Sequence, residues 1–305
     1  MANGANLSSK LPIIVAGPTG VGKSAFAVDL ANELGGEIIG ADAYQVYRGL
    51  EILTSQPTPE MLSAVPHHLI GFLPPAEAFD AARFAAIARE RISEVASLGK
   101  VPIVVGGSGL YIKALTHGLV DVPPANPTLR AKLASLSLGQ LQEQLAKIDP
   151  AARIDSQNPR RVLRALEISL LTGRPASELR RAWGAKAAPG FRGLLLVRDR
   201  EELHKYIADN VRRMFERGVA AEVRKIEAIG PTAAMAIGFR EIQALNRGAI
   251  TESECLAAVT QSTRRYAKRQ LTWFRNQFTL SIIDLTGFRE THGILPLAME
   301  SLGVA

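Results

Sequence analysis

The sequence predicts an α/β protein in which a P-loop parallel-sheet core is interrupted by an inserted helical domain. Three observations carry this reading. Short apolar runs that end in glycine alternate with stretches of helical periodicity, the pattern of parallel strands covered by helices. Between the first such run and the first such helix lies Gly17-Pro18-Thr19-Gly20-Val21-Gly22-Lys23-Ser24, a full match to G-x-x-x-x-G-K-[ST]. Residues 128–182 then read as helices without a strand before an apolar run returns near Gly193.

The elements follow in order. Residues 11–16 contain Ile13-Ile14-Val15 and end at Gly17-Pro18, a buried strand running into a turn. Phe26, Ala27, Leu30, Ala31 and Leu34 recur at helical spacing, and Gly35-Gly36 closes that helix. A second strand at 37–40 leads into Asp42. Helical stretches near 58–64 and 80–98 precede the β-branched run 101–105, which ends in Gly106-Gly107. Three prolines among residues 122–127 mark a domain boundary. Residues 193–197 restore a strand, and helical patterns cover 201–229, 239–247 and 252–277. The expected organisation is therefore 1–121 as the first part of the core, 122–192 as the helical insertion, and 193–305 as the second part with basic C-terminal helices.

Composition narrows the function. The chain has 305 residues, 47% of them apolar and 21% charged, enough for two domains and too apolar for wholesale disorder. A single cysteine, Cys255, excludes an internal disulfide, a zinc ribbon and an iron–sulfur cluster, and suits a reducing compartment. Residues 1–10 are polar and no run of about 18 apolar residues occurs, so a cytoplasmic protein with no membrane segment is expected. Net charge is +7, unevenly placed: residues 1–120 hold 8 Lys/Arg against 10 Asp/Glu, residues 121–305 hold 28 against 19. A basic second half suits a polyanionic partner, because neutralised phosphates dominate nucleic-acid affinity; it equally suits a plain soluble surface.

The glycine-rich octad is the strongest local signal. Its glycines let successive N–H groups turn toward phosphate oxygens, the following helix adds its N-terminal dipole, Lys23 supplies a point charge, and the Ser24 hydroxyl is a ligand for Mg²⁺. The loop says that a di- or triphosphate binds, and serves kinases, ATPases and GTPases alike. Strand 101–105 ends in glycines where a magnesium-ordering Asp would often be sought. The first carboxylate after a strand is instead Asp42, expected at the same carboxyl edge as the loop.

Asp42-Ala43-Tyr44-Gln45-Val46-Tyr47-Arg48 reads in two ways. For chemistry, Asp42 is a base and Gln45 reads a hydrogen-bonding substrate edge; for structure, Asp42 caps an exposed helix. At Gly106-Gly107-Ser108-Gly109, Ser108 either touches a ligand or belongs to a flexible strand-to-helix turn. His67-His68 has no further ligand at metal spacing and reads as structural. Residues 260–275 carry Arg264, Arg265, Lys268, Arg269 and Arg275 with Tyr266, Trp273 and Phe274 and no acid. This suits an RNA surface, with the rings stacking on bases or simply filling the core. Asn158-Pro159-Arg160-Arg161 with Arg164 is a second basic cluster.

Taken together, residues 17–24, 42–48, 66–68, 106–111, 158–167, 237–240 and 263–275 follow the order and approximate spacing of the bacterial tRNA dimethylallyltransferases, which the chain resembles over roughly residues 11–278. The resemblance implies transfer of a dimethylallyl group from dimethylallyl diphosphate to the exocyclic amine of the adenine 3′ of the anticodon, on a base flipped out of the anticodon stem-loop. It implies that Gly17, Pro18, Thr19, Gly20, Val21, Gly22, Lys23 and Ser24 cradle the diphosphate, with Mg²⁺ on Ser24. Asp42 and Ser108 would be catalytic, Ser108 standing where the family usually has Thr. Contacts to tRNA would come from Asp42, Ala43, Tyr44, Gln45, Ser108, Arg130, Gln157, Asn158, Pro159, Arg160, Arg161, Arg240, Lys268, Arg269, Gln270 and Arg275. Asn210 falls where the family carries a diphosphate-clamping arginine, implying weaker diphosphate binding unless Arg212 or Arg213 substitutes. A monomer is expected. Three rivals remain: an ATP-using P-loop kinase of a nucleoside or small metabolite, a prenyltransferase of free adenine nucleotides, and a nucleotide-gated RNA-binding protein.

Overall fold

The structure is a computed structural model that describes residues 11–119, 122–181, 190–288 and 290–304. It divides into two compact units, Met1–Thr116 with Ala187–Ala305, and His117–Lys186. In the first unit, β1 (Ile13–Ala16), β2 (Gly36–Gly40), β3 (His67–His68), β4 (Val101–Gly106), β5 (Arg192–Val197) and β6 (Ser281–Asp284) form a six-stranded sheet in the order β3-β2-β4-β1-β5-β6. Every pairing is parallel. Ala16 lies opposite Gly106 and Leu195, and Gly40 opposite Val105, so β1, β2 and β4 end at one edge. The segments that follow them, 17–24, 41–48 and 107–111, therefore start from that edge.

Around the sheet lie α1 (Lys23–Leu34), α2 (Pro59–Ala64), α3 (Ala81–Ser97) and α4 (Gly109–His117) from the first half of the chain. The second unit holds α5 (Pro127–Ala134), α6 (Leu138–Ile148), α7 (Pro159–Thr172) and α8 (Ala176–Arg181). The first unit resumes with α9 (Arg200–Glu216), α10 (Val219–Arg224), α11 (Phe239–Asn246), α12 (Glu252–Gln277) and α13 (Leu295–Leu302). All four residues of β1 are buried, and Phe26, Leu30, Ile39, Ile103, Val104 and Leu196 are among the core around them. Burial of both sheet faces explains why these strands read as unbroken apolar runs.

Local chemistry sets the helix ends. Asp80 accepts from Ala82 and Arg83 N–H to start α3, and Thr251 with Glu254 forms a capping box at α12. The pattern 201–229 is two helices, because Gly218 at φ +87° breaks it between α9 and α10. Two edge strands escaped the sequence reading: β3 has two residues, and β6 buries only Ile283 of its four, so neither presents an apolar run. Residue 192, assigned to the insertion, already pairs with Ile13 in β5.

The second unit packs Leu133, Leu141, Leu145, Val162, Ala165 and Leu166 around α7. Within it Glu167 is fully buried. Burial opposes its ionisation, but hydrogen bonds from Arg130, Arg164 and the Asn126 N–H hold its carboxyl below the usual range.

Candidate active site

The loop after β1 leads directly into α1. Gly22 is the N-cap of α1 at φ +107° and supplies no side-chain cap, so the first-turn N–H groups of α1 have no side-chain acceptor from that residue. Gly20, at φ +81°, lies so close to α9 that a Cβ there would stand 2.8 Å from Ile207 Cγ1. Lys23 Nζ donates to the Pro18 carbonyl at 2.8 Å, folding its ammonium over the loop. Burial lowers the Lys23 pKa to about 8, an effect Asp42 partly opposes.

Asp42 follows β2 at the same edge. Its Oδ1 accepts from Tyr44 N–H at 2.9 Å and Gln45 N–H at 3.4 Å, closing a turn rather than starting the helix that a cap would have implied. Burial pushes its pKa up, against the opposing pull of the Tyr44 N–H, Lys23 and the Gln45 N–H. A carboxylate with raised proton affinity beside a cation is a recognisable base candidate.

Lys23, Ser24, Asp42, Tyr44 and Gln45 open into one cleft of about 750 Å³. Its opposite walls come from residues 53–61, from Tyr206, Asn210, Arg213 and Arg217 along α9, and from Val259, Thr263, Tyr266 and Gln270 on α12. Tyr206, Asn210 and Arg213 of α9 and its C-cap residue Arg217 recur at i, i+4, i+7 and i+11, one stripe of a helix. Arg213 donates to Asn210 Oδ1, so its guanidinium leans one turn toward the N-terminus of α9, the direction helical side chains take. Arg212 instead faces solvent and pairs with Asp209.

Several sequence-predicted residues spend polar atoms on partners within the protein. Ser108 is buried behind the Asp42 turn, where its Oγ accepts from Ala43 N–H at 2.8 Å and hydrogen-bonds Tyr266. Gln270 is buried too: its Oε1 accepts from Thr19 N–H at 2.8 Å and its Nε2 donates to Gly107 O at 2.9 Å. Gln45 uses its amide nitrogen on the carbonyls of Thr54 (3.2 Å) and Ser55 (2.8 Å). Phe274 is core, and the half-buried Trp273 packs edge-on against it.

The basic candidates divide as well. Arg240, Lys268, Arg269 and Arg275 are exposed. In the second unit Gln157, Pro159, Arg160 and Arg161 are exposed, but Asn158 caps α7 by accepting from Arg160 and Arg161 N–H, and Arg130 makes a forked pair with Glu167. His68 pairs with Glu37 at 2.6 Å and His67 with the Val65 carbonyl at 2.7 Å, inside the edge of the sheet. Among the described residues no cluster of three His, Cys, Asp or Glu could hold a metal ion, and no helix is long and apolar enough to cross a membrane.

Sequence reasoning missed Tyr206 and Arg217 as cleft residues and Tyr266 as the partner of Ser108; Arg213 was named only as a substitute for the arginine expected at residue 210. The α9 stripe had a readable spacing signal. Tyr266 had none, because its partner lies far away in sequence.

The chain is similar to known proteins in sequence and in fold. The sequence model of the IPP transferases matches residues 45–277. A tRNA dimethylallyltransferase of Syntrophobacter fumaroxidans is 44% identical over 298 residues, covering 93% of this chain and 86% of its own length. One from Myxococcus xanthus is 43% identical over 274 residues, covering 87% and 89%. Among solved structures, the full-length tRNA isopentenylpyrophosphate transferase of Bacillus halodurans superposes with a TM-score of 0.70 at 34% identity, covering 96% of this chain and 97% of that one. A eukaryotic dimethylallyltransferase acting on tRNA gives 0.79 at 28% identity, covering 95% and 78%.

Proposed function

The chain belongs to the IPP transferase family, and on that premise we propose that it moves a dimethylallyl group from dimethylallyl diphosphate to the exocyclic amine of the adenine 3′ of the anticodon in tRNA, releasing diphosphate. It is a tRNA prenyltransferase. The observation that carries the chemistry is that a phosphate loop and a carboxylate of raised proton affinity open into one cleft. Leaving group and acceptor are thereby held within one reaction volume.

Residues 17–24 receive the diphosphate through backbone N–H groups and the α1 dipole, while Lys23 turns from Pro18 to the phosphates. Arg213, drawn toward the loop side by Asn210, supplies the cation that the resemblance sought at residue 210. As the allylic carbon–oxygen bond breaks, its electron pair leaves on the diphosphate; the adenine amine forms the new carbon–nitrogen bond and gives its proton to Asp42. Ser108 and Gln270 act one step back, the first by fixing Ala43 and Tyr266, the second by bracing Thr19. Ser24, in the first turn of α1 on the cleft wall, offers a hydroxyl oxygen suited to a hard divalent cation, and we assign it as the residue that would hold Mg²⁺. Bound there, the ion would neutralise charge developing on the leaving group.

The acceptor base must leave its stack to reach the cleft. Exposed Arg240, Lys268, Arg269 and Arg275, with Gln157, Arg160 and Arg161 of the second unit, are suited to tRNA phosphates. The kinase reading is set aside, since the relatives are named as tRNA prenyl transferases. The test is incubation of unmodified tRNA with dimethylallyl diphosphate or with ATP, followed by mass analysis of the digested nucleosides. A prenyl-sized gain on adenosine that requires the prenyl donor supports the proposal; ATP consumption without that gain refutes it.

A further inference from the structure

One wall of the cleft is a segment too short to hold its own shape. Residues 50–56 make a single helical turn, closed by Thr54 N–H to Leu50 O and Gln56 N–H to Glu51 O, both at 3.0 Å. An isolated turn of this kind is unstable in water, so its position is imposed from outside. Both ends are capped by side chains from outside the turn. At the start, Glu222 on α10 accepts Ile52 N–H on Oε1 at 2.7 Å and Leu53 N–H on Oε2 at 2.8 Å, across about 170 residues of chain. At the finish, Gln45 donates to the Thr54 and Ser55 carbonyls, holding Ser55 in a left-handed conformation at φ +51°.

The residue whose amide Glu222 grips also faces the cleft. Leu53 lines it with Met61, Val211, Met214 and Val259. Leu53 and Val259 converge beside Gly238, within 3.4 and 3.2 Å of the point where a Cβ would stand, so Leu53 has a defined seat in this wall. The phosphate loop provides for the charged end of the donor; these side chains are what the cleft offers to an apolar end.

Resting on the prenyl-donor reading above, we infer that Glu222 is a positioning residue for the donor's hydrocarbon tail: by clamping the Ile52 and Leu53 amides it fixes the apolar wall against which the prenyl chain packs. A carboxylate suits the task because both its oxygens accept. In Glu222→Gln one oxygen becomes an NH₂ group, which would face a backbone N–H and break one of the two bonds.

The experiment is calorimetric titration of the full chain, with Mg²⁺ present, using dimethylallyl diphosphate and inorganic diphosphate separately. The wild type should bind the prenylated ligand more tightly. In Glu222→Gln that advantage should shrink by roughly tenfold while inorganic diphosphate affinity stays within about twofold. Leu53→Ala should reproduce the tail-selective loss, and decides the matter alone should Glu222→Gln not fold. In turnover, the KM for the donor should rise with kcat nearly unchanged. Equal weakening of both ligands, or of neither, overturns the inference and leaves the transferase reading intact. A wild type that does not distinguish the two ligands overturns both.

Discussion

Gln270 offers the sharpest structural prediction, because one buried amide joins two segments that the chemistry needs. It accepts from Thr19 N–H in the phosphate loop and donates to the carbonyl of Gly107 after β4. Gln270→Ala removes both bonds and strands a loop N–H and a buried carbonyl. Each hydrogen bond is worth about 1 kcal/mol net and each orphaned buried group costs about 1–3 kcal/mol, so with partial access of water at Thr19 the loss should be about 2–4 kcal/mol. At roughly 2–4 °C per kcal/mol, Tm should fall by about 4–16 °C. The loop loses its brace, so affinity for inorganic diphosphate should fall on the order of tenfold. Gln270→Glu should bind diphosphate worse than Ala does: it keeps the acceptor for Thr19 but sets a carboxylate against Gly107 O and near the anion. Differential scanning fluorimetry and calorimetric titration read both effects. An Ala variant with Tm within about 1 °C of wild type, or one that binds diphosphate more tightly because Thr19 N–H is released, would refute the reasoning.

Three further outcomes are expected. The profile of kcat/KM for the prenyl donor should rise through a pH above the ordinary carboxylate range, since Asp42 must lose a proton that burial helps it keep, and fall above about 8, where Lys23 of the free enzyme loses its charge; Lys23→Arg should move the falling limb upward, and a flat profile would contradict both assignments. Glu167→Ala should destabilise the helical unit by about 3–5 kcal/mol, because Arg130 and Arg164 lose their shared buried partner; hydrogen exchange in residues 122–181 checks this, and unchanged protection counts against it. Substituting Lys268, Arg269 or Arg275 by Ala should each lower the slope of log affinity for tRNA against log salt by about 0.7–0.9; an unchanged slope removes that residue from the interface.

What could be read from the sequence was what is local. β1, the loop and α1 follow each other within a few residues, and the motif, its strand and its helix predict one another. The approach of Asp42 to the loop followed from parallel topology, since both leave the same sheet edge. The two-residue edge strand at His67–His68 was invisible because its pairing with Ile38 and Ile39 leaves no apolar pattern. Asp42, read as a base or as a helix cap, starts no helix; it closes a turn and lines the cleft. The resemblance placed Arg130 on tRNA, and a lone Arg gives no sign of its protein partner; Glu167, which engages it, lies 37 residues on. The resemblance placed Gln270 on tRNA with residues 268–275, and the register of α12 turns it inward while Lys268 and Arg269 face outward. Glu222 and Tyr266 act through partners separated by more than a hundred residues, beyond any spacing rule.

The central claim is that Asp42 takes the acceptor's proton while the loop holds the leaving diphosphate. Asp42→Asn tests it most directly, because the Asn oxygen can still accept from Tyr44 and Gln45 N–H and keep the turn, while the group no longer serves as a base. Single-turnover prenyl transfer should be measured together with tRNA affinity. The account predicts a rate at least about 100-fold lower with tRNA affinity within about twofold of wild type. A rate reduced less than about tenfold would contradict it.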